Sequence, residues 1–259
     1  MCIKQVPDTG EVKIDRETNT LIREGVPAII NPFDLHGIEE GVRLRTNHGG
    51  KVTVMTMGPP QAEDALKEAV ALGADQVLHL CDRAFAGADT WATSYALAAA
   101  IRQMEPRPDI IICGRQAIDG DTAQVGPGIA EHLGIPHVAN VRKVEVLENN
   151  RFRIERMTDD GHEVLETGGP VLIAVVREIN EPRMPSLKGM MKAKKTSVTV
   201  LTHQDLELAP EQVGLQGSPT WVTRVFSPEL PEASGEIIEG TDEECAAKLL
   251  DLFSEMKIV

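Results

Sequence analysis

The chain has 259 residues, 42% of them apolar, enough for one large α/β domain or one domain with an appendage and a sizeable core. Its 26 Lys and Arg against 40 Asp and Glu leave a formal charge of −14, which argues against nucleic acid and anionic membranes as partners. Four scattered cysteines without a C-x-x-C pair argue against metal or iron–sulfur ligation, and the lack of a signal peptide and of any apolar run near ~20 residues argues against export or membrane insertion, so a soluble cytoplasmic protein with reduced thiols is expected.

Residues 2–6 read as the tail of a first strand, clipped at its front. Val12–Ile14 and Leu21–Ile22, around a turn-rich stretch, read as a small hairpin. Asn31 precedes Pro32 and so ends an extended stretch, after which Asp34 is expected to cap a helix with Leu35, Ile38, Val42 and Leu44 facing inward. Residues 51–57 form a second strand, ending at Gly58-Pro59-Pro60. The helix from Gln61 buries Ala62, Ala65, Leu66, Ala69 and Leu72 and stops at Gly73. A third strand at 76–80, a helix capped by Asp89 and a fourth strand at 110–113 follow. Strands alternating with helices predict a parallel sheet with right-handed crossovers. Ligands of such sheets sit beyond the carboxyl ends of the strands, so the ends at Val6, Met57 and Gly114 are expected to share one crevice near Asn31–Asp34.

The stretch after the fourth strand carries the chemistry. Ile110-Ile111-Ile112-Cys113 is apolar throughout, as a strand covered on both faces is. A polar, glycine-bearing loop follows, and then a helical pattern with Ile129, Ala130 and Leu133 on one face. A helix starting at Thr122 would drive the Pro127 ring into the carbonyl of Ala123; a start near Gly126, with Pro127 first, avoids this and leaves the amides of residues 122–126 free. Free amides at a helix N-terminus suit a phosphate, while a plain surface loop is the alternative. Gly126-Pro127-Gly128 imitates a dinucleotide fingerprint weakly, because Glu131 stands where its third glycine belongs. Asp119 and Asp121 suit either a Mg²⁺ ion or turn capping. No nucleophile elbow, zincin motif or P-loop is present, and no catalytic side chain is assigned.

From Val141 the period changes. Residues 141–147, 151–157 and 162–166 read as strands joined by hairpin turns at Asn149-Asn150 and Asp159-Asp160-Gly161, and 171–176 as another buried strand. Residues 178–196 read as irregular. They hold the basic residues Lys188, Lys192, Lys194 and Lys195 beside Leu187, Met190 and Met191, a candidate docking surface. Beyond 200 the chain is rich in Pro and Gly and is expected to lie along a partner before a closing helix at 242–256.

Along essentially its whole length the chain resembles the β subunit of electron transfer flavoprotein. The resemblance is carried by Cys2-Ile3-Lys4-Gln5-Val6-Pro7-Asp8, Asn31-Pro32-Phe33-Asp34, Gly114-Arg115-Gln116-Ala117-Ile118-Asp119, and Asn180-Glu181-Pro182-Arg183 running into Met191-Lys192-Ala193-Lys194-Lys195. It implies a Rossmann-like (adenine-nucleotide-hydrolase-like) α/β domain over 1–200 and, over 201–259, an extended arm and helix packing on an α subunit that carries its own FAD. Nucleotide contacts are implied at Cys2, Asn31, Pro32, Phe33, Asp34, Met57, Gly114, Arg115, Gln116, Ala117, Ile118, Asp119, Gly120, Asp121, Thr122, Ala123, Gln124 and Val125, to which the loop chemistry adds Gly126. Phe33 matches a residue near the α-subunit flavin, and Leu187 the tip of a loop that docks on a partner dehydrogenase.

The sequence Asp119-Gly120-Asp121-Thr122-Ala123-Gln124-Val125-Gly126-Pro127 looks like the flavin-bifurcating branch. There FAD replaces a structural AMP, takes hydride from NADH, and divides the electrons between ferredoxin or flavodoxin and, through the α-subunit FAD, an acyl-CoA-type or 2-hydroxy-acid dehydrogenase. A non-bifurcating subunit holding AMP is the alternative. A free-standing adenine-nucleotide-binding module is a third reading, and it requires a stable monomer.

Overall fold

The computed structural model describes residues 1–8, 27–223, 235 and 237–258. The expected hairpin at 12–22 lies outside them. The chain divides into two compact units, Met1–Thr223 and Arg224–Val259.

The first unit is built on one main sheet and a separate two-stranded pair. Its strands are β1 (Gln5–Pro7), β2 (Ala28–Ile30), β3 (Thr53–Met57), β4 (Gln76–Leu80), β5 (Ile110–Gly114), β6 (His137–Leu147), β7 (Arg151–Thr158), β8 (Gly161–Gly168), β9 (Val171–Val175) and β10 (Thr199–Leu201). Residues 1–3 occupy the centre of the main sheet, because Cys2 bridges in parallel to Met55 on one side and to Cys113 on the other. The amide of Cys2 donates to Ile112 (3.0 Å), and that of Ile3 to Met55 (2.9 Å). The sheet therefore reads β10–β4–β3, then residues 1–3, then β5–β9–β6–β7–β8, parallel as far as β6 and antiparallel beyond. The expected first strand is divided: after Ile3 the chain leaves the sheet, and β1 pairs antiparallel with β2 instead.

Helices α1 (Pro32–His48), α2 (Glu63–Leu72), α3 (Thr90–Arg102), α4 (Val125–Leu133) and α5 (Leu187–Lys195) flank the sheet. Alternate strand residues point to opposite faces. Ile3, Val54 and Val77 pack with Ile38, Val42 and Leu66 of α1 and α2, whereas Cys2, Met55 and Leu172 pack with Ala96, Ile101 and Ile129 of α3 and α4. Both faces are thus covered, and the strands read as apolar runs for that reason.

The local rules hold at most boundaries. Asp89 caps α3 by accepting from the amide of Ala92 (3.0 Å), and Gly73 ends α2 with φ 127°. Asn149 and Asn150, at φ 59° and 52°, make the primed turn that two adjacent positive-φ residues allow between β6 and β7. Three readings are corrected. Asp34 does not cap α1: Asn31 is the N-cap residue, Pro32 holds the first position and Asp34 is buried in the first turn. Residues 187–195 are helical, started by the Ser186 hydroxyl accepting from the amide of Gly189 (3.0 Å). The apolar trio Leu187, Met190 and Met191 already had helical spacing, masked by Pro182, Pro185 and Gly189. Residues beyond 200 do not leave the domain at once. β10 joins the sheet edge, Leu206, Leu208 and Val213 are buried in the α3/α4 core, and His203 pairs with Asp82 (2.6 Å), which moves the unit boundary from 200 to 223.

In the second unit, α6 (Asp242–Glu255) begins with a capping box between Thr241 and Glu244. Leu250 is 64% exposed on it, with Leu249 and Phe253 also exposed. Among the described residues no helix is long and apolar enough to cross a membrane.

Candidate functional site

The central segment at 1–3 is followed in sequence by a strand on one side (β3), and β5 lies on the other. Helices α1 and α2 cover one face and α3 and α4 the other, the arrangement in which a ligand site is expected at the carboxyl ends of these neighbours. Of the residues expected there, Asn31, Asp34, Gly114, Gln116 and Ile118 are joined by hydrogen bonds, whereas Val6 lies in the separate β1–β2 pair and Met57 packs on the α3/α4 core. Asp34, at the α1 N-terminus, accepts from the amide of Lys4 with one carboxylate oxygen (2.7 Å) and from that of Gly114 with the other (3.1 Å). Burial pushes its carboxyl up to about 7, against the amides of Lys4 and Gly114, the Asn31 side chain and the Lys4 charge, all of which favour the ionised form. Gly114 must be glycine, because a Cβ would collide with Asp34 Oδ1 and the Phe33 backbone. Asn31 donates through Nδ2 to the Gln116 carbonyl (2.8 Å) and accepts through Oδ1 from the Ile118 amide (3.3 Å). Asn31 and Asp34, 1% and 5% exposed, thus use their side chains to lace the loop to the strand ends.

The loop carboxylates are occupied. Lys4 Nζ pairs with Asp119 (2.6 Å), and Gln116 Nε2 donates to Asp121 (2.7 Å). Both therefore brace the loop through side-chain partners, a role distinct from the turn capping set beside Mg²⁺ binding. Helix α4 starts at Val125, one residue before the expected start. Pro127 is still in its first turn, and the residue its ring would strike, Ala123, lies outside the helix at φ 54°. A left-handed alanine costs about 1 kcal/mol or more and is held by its surroundings. Among the described residues the amides of Thr122, Ala123, Val125 and Gly126 have no acceptor, and that of Gln124 has only the Thr122 hydroxyl at 3.4 Å. Thr122 and Gln124 are exposed and Ala123 and Val125 partly so, which leaves these donors open to water or to acceptors that a ligand would supply. Gly126 is closed in from behind, where a Cβ would stand 3.3 Å from Leu172.

Met57 ends the neighbouring strand, half-buried against the α3/α4 core. Cys2 is in mid-sheet beside Cys113, whose thiol is pushed up by its hydrogen bond with Cys2 and by burial, so it stays protonated. A cleft of about 530 Å³ adjoins the loop. Phe33, Arg115, Gln116 and Ile118 line one side; Asn140, Met157, Arg177 and Glu178 are among those on the other. The Arg177 guanidinium stands 4.7 Å from the Phe33 ring centroid, a cation–π contact. Sequence reasoning missed Lys4, Thr90 (whose hydroxyl meets that of Thr122 at 3.1 Å), Asn140 and Arg177. They reach the site through tertiary contacts, with no local pattern around them.

Residues 18–206 match the electron transfer flavoprotein domain. An electron transfer flavoprotein subunit beta from Thermoanaerobacterium thermosaccharolyticum is 52% identical over 258 residues, covering 99% of this chain and 98% of its own. The subunit CarD of the caffeyl-CoA reductase-Etf complex of Acetobacterium woodii is 48% identical, with 100% and 98% covered. Protein FixA of Azotobacter vinelandii is 43% identical, with 98% and 94% covered. The chain belongs to the electron transfer flavoprotein beta-subunit family. An α subunit is accordingly its partner in a heterodimer.

The geometry also explains the Asn180-Glu181-Pro182-Arg183 signature of this beta subunit. Asn180 exchanges hydrogen bonds with His36, donating to its carbonyl (3.0 Å) and meeting its ring with its own carbonyl (2.9 Å). Arg183 pairs with Glu39 (2.6 Å), and its guanidinium holds that carboxyl below the usual range. Both partners lie on α1. Beyond them, Lys192 Nζ donates to the Ala74 carbonyl (2.8 Å), and Gly189 packs so close to Ala71 that a Cβ would overlap its carbonyl. Helix α5 is thus strapped to α1 and α2 with Leu187, 73% exposed, at its outer tip.

Proposed function

We propose that the crevice holds FAD, and that this beta subunit serves a bifurcating electron transfer flavoprotein. What carries the reading is a pair of features on one loop. The unpaired amides at 122–126 suit a diphosphate, and Arg115, Gln116 and Ile118 at the start of the same loop line the 530 Å³ cleft together with Phe33 of α1. A ligand with a diphosphate and a three-ring system uses both. AMP, the alternative ligand, uses only the loop and leaves the cleft without a role.

When bound, FAD supplies two-electron acceptance from NADH and one-electron delivery to ferredoxin or flavodoxin and, through the α-subunit FAD, to an acyl-CoA-type or 2-hydroxy-acid dehydrogenase. The chain's own residues bind and orient. The loop amides hold phosphate, while Asn31 and Asp34 keep the loop on the strand ends. Phe33 and Arg177 offer the cleft an aromatic face and a positive charge. The exposed Leu187 tip of α5 docks on the dehydrogenase; an acyl-CoA-type partner is favoured by the name of the Acetobacterium woodii relative. The test is the nucleotide content of the purified heterodimer. Two FAD and no AMP are expected; one FAD and one AMP would sink the bifurcating reading in favour of the structural one.

A further inference from the structure

The laces that hold the loop differ in kind. Asn31 and Asp34 grip its backbone only as far as Ile118. Beyond that point, among the described residues, the ion pair of Lys4 Nζ with Asp119 Oδ1 at 2.6 Å, spanning 115 positions in sequence, ties the loop back to the first residues of the chain. The Asp119 side chain is 8% exposed and that of Lys4 is 47% exposed. Lys4 is well placed for this. Its amide is fixed by Asp34 (2.7 Å) and its carbonyl by the Asn31 amide (2.8 Å), at the residue where the chain leaves the sheet. Gly120 has no side chain, and a Cβ there would lie 4.0 Å from Nζ, so the ammonium stands against the loop backbone.

We propose that Lys4 is a positioning residue of the nucleotide site, acting through Asp119: it cancels the charge of a nearly buried carboxylate that would otherwise repel an anionic ligand. A surface ion pair contributes little to stability, but a carboxylate drawn from water beside a second anion is strongly unfavourable unless neutralised. The role rests on the reading that this loop takes a phosphate-bearing nucleotide.

The test measures equilibrium binding of AMP and of FAD to the nucleotide-stripped heterodimer. Lys4→Met is expected to weaken both about tenfold or more, while Lys4→Arg stays within about threefold of the unmodified protein. Asp119→Asn, which removes the charge to be cancelled, also stays within about threefold, and the double variant Lys4→Met/Asp119→Asn recovers to the level of Asp119→Asn. Lys4→Met binding both nucleotides normally overturns the proposal, as does a double variant no better than Lys4→Met, which would make Lys4 a direct phosphate contact. Should Lys4→Met fail to assemble, a tenfold loss in Asp119→Asn alone overturns it. If the unmodified heterodimer binds neither AMP nor FAD, the functional reading itself falls and takes this role with it.

Discussion

Gly114, Ala123 and Gly126 share a few residues of chain but are constrained for different reasons. Gly114 gives room for Asp34 to grip two strand ends, Ala123 turns the backbone through a left-handed conformation, and Gly126 lets α4 approach the sheet at Leu172. Their common result is a run of amides that point away from every acceptor in the described residues. Thr122 is exposed, and its hydroxyl meets only that of Thr90 and, at 3.4 Å, the Gln124 amide among the described residues, so Thr122→Arg should leave thermal stability within about 0.5 kcal/mol while filling the space before those amides. It should strip nucleotide from the β site, a loss of affinity of about a hundredfold or more. Gly126→Asp should do the same by another route, because its side chain would point at Leu172, Cys113 and Ala174 and a carboxylate forced against the sheet displaces the start of α4. Full nucleotide content in either purified variant would refute the assignment of the loop.

At the scale of elements, α5 is an exposed apolar tip on a rigid mount. Asn180, Arg183, Gly189 and Lys192 tie it and its approach to α1 and α2. Helix α1 in turn carries Phe33 and Asp34 in its first turn, just ahead of His36 and Glu39, so the proposed docking tip and the proposed nucleotide site share one support. Leu187→Ala removes the most exposed leucine of the tip without touching the mount. Cofactor content should be unchanged, and reduction by the partner dehydrogenase should slow about tenfold, as truncation of an interface anchor does. Stopped-flow reduction rates that match the unmodified protein would remove the docking role from α5. That helix was legible as spacing, with Leu187, Met190 and Met191 on one side, but prolines and a glycine drew the reading towards a loop. Ser186 as cap and Gly189 as a close-packing residue turn those breakers into helix chemistry.

For the whole molecule, the division at 223 separates a unit with its own two-faced core from one whose helix shows its apolar side. An amphipathic helix of 14 residues with Leu249, Leu250 and Phe253 exposed gains too little from its own backbone to be stable alone. We propose the α subunit as the cover for it. A chain ended after Thr223 should keep its melting temperature within a few degrees, since residues 202–213 are retained with the α/β core. The same truncation should weaken the heterodimer about tenfold or more, measured by the concentration dependence of its dissociation. An undiminished heterodimer would assign the second unit elsewhere.

What the sequence determined by itself was the alternation of strands and helices, the strand end at Gly114, the capping at Asp89 and the hairpin at Asn149-Asn150, because each depends on neighbours a few residues apart. It also brought Asn31, Asp34 and the 114–126 loop to one crevice, since the handedness of crossovers leaves a chain of alternating elements little choice. Only the tertiary structure decided that Asp34 braces two strand ends instead of capping its helix, that residues 1–3 hold the centre of the sheet, and that β10 closes an edge with three residues too few to show a period. Lys4 with Asp119 and Phe33 with Arg177 belong to the same class. Each pair joins residues more than a hundred positions apart, and no local pattern records such a meeting, because it exists only once the sheet has brought the chain together.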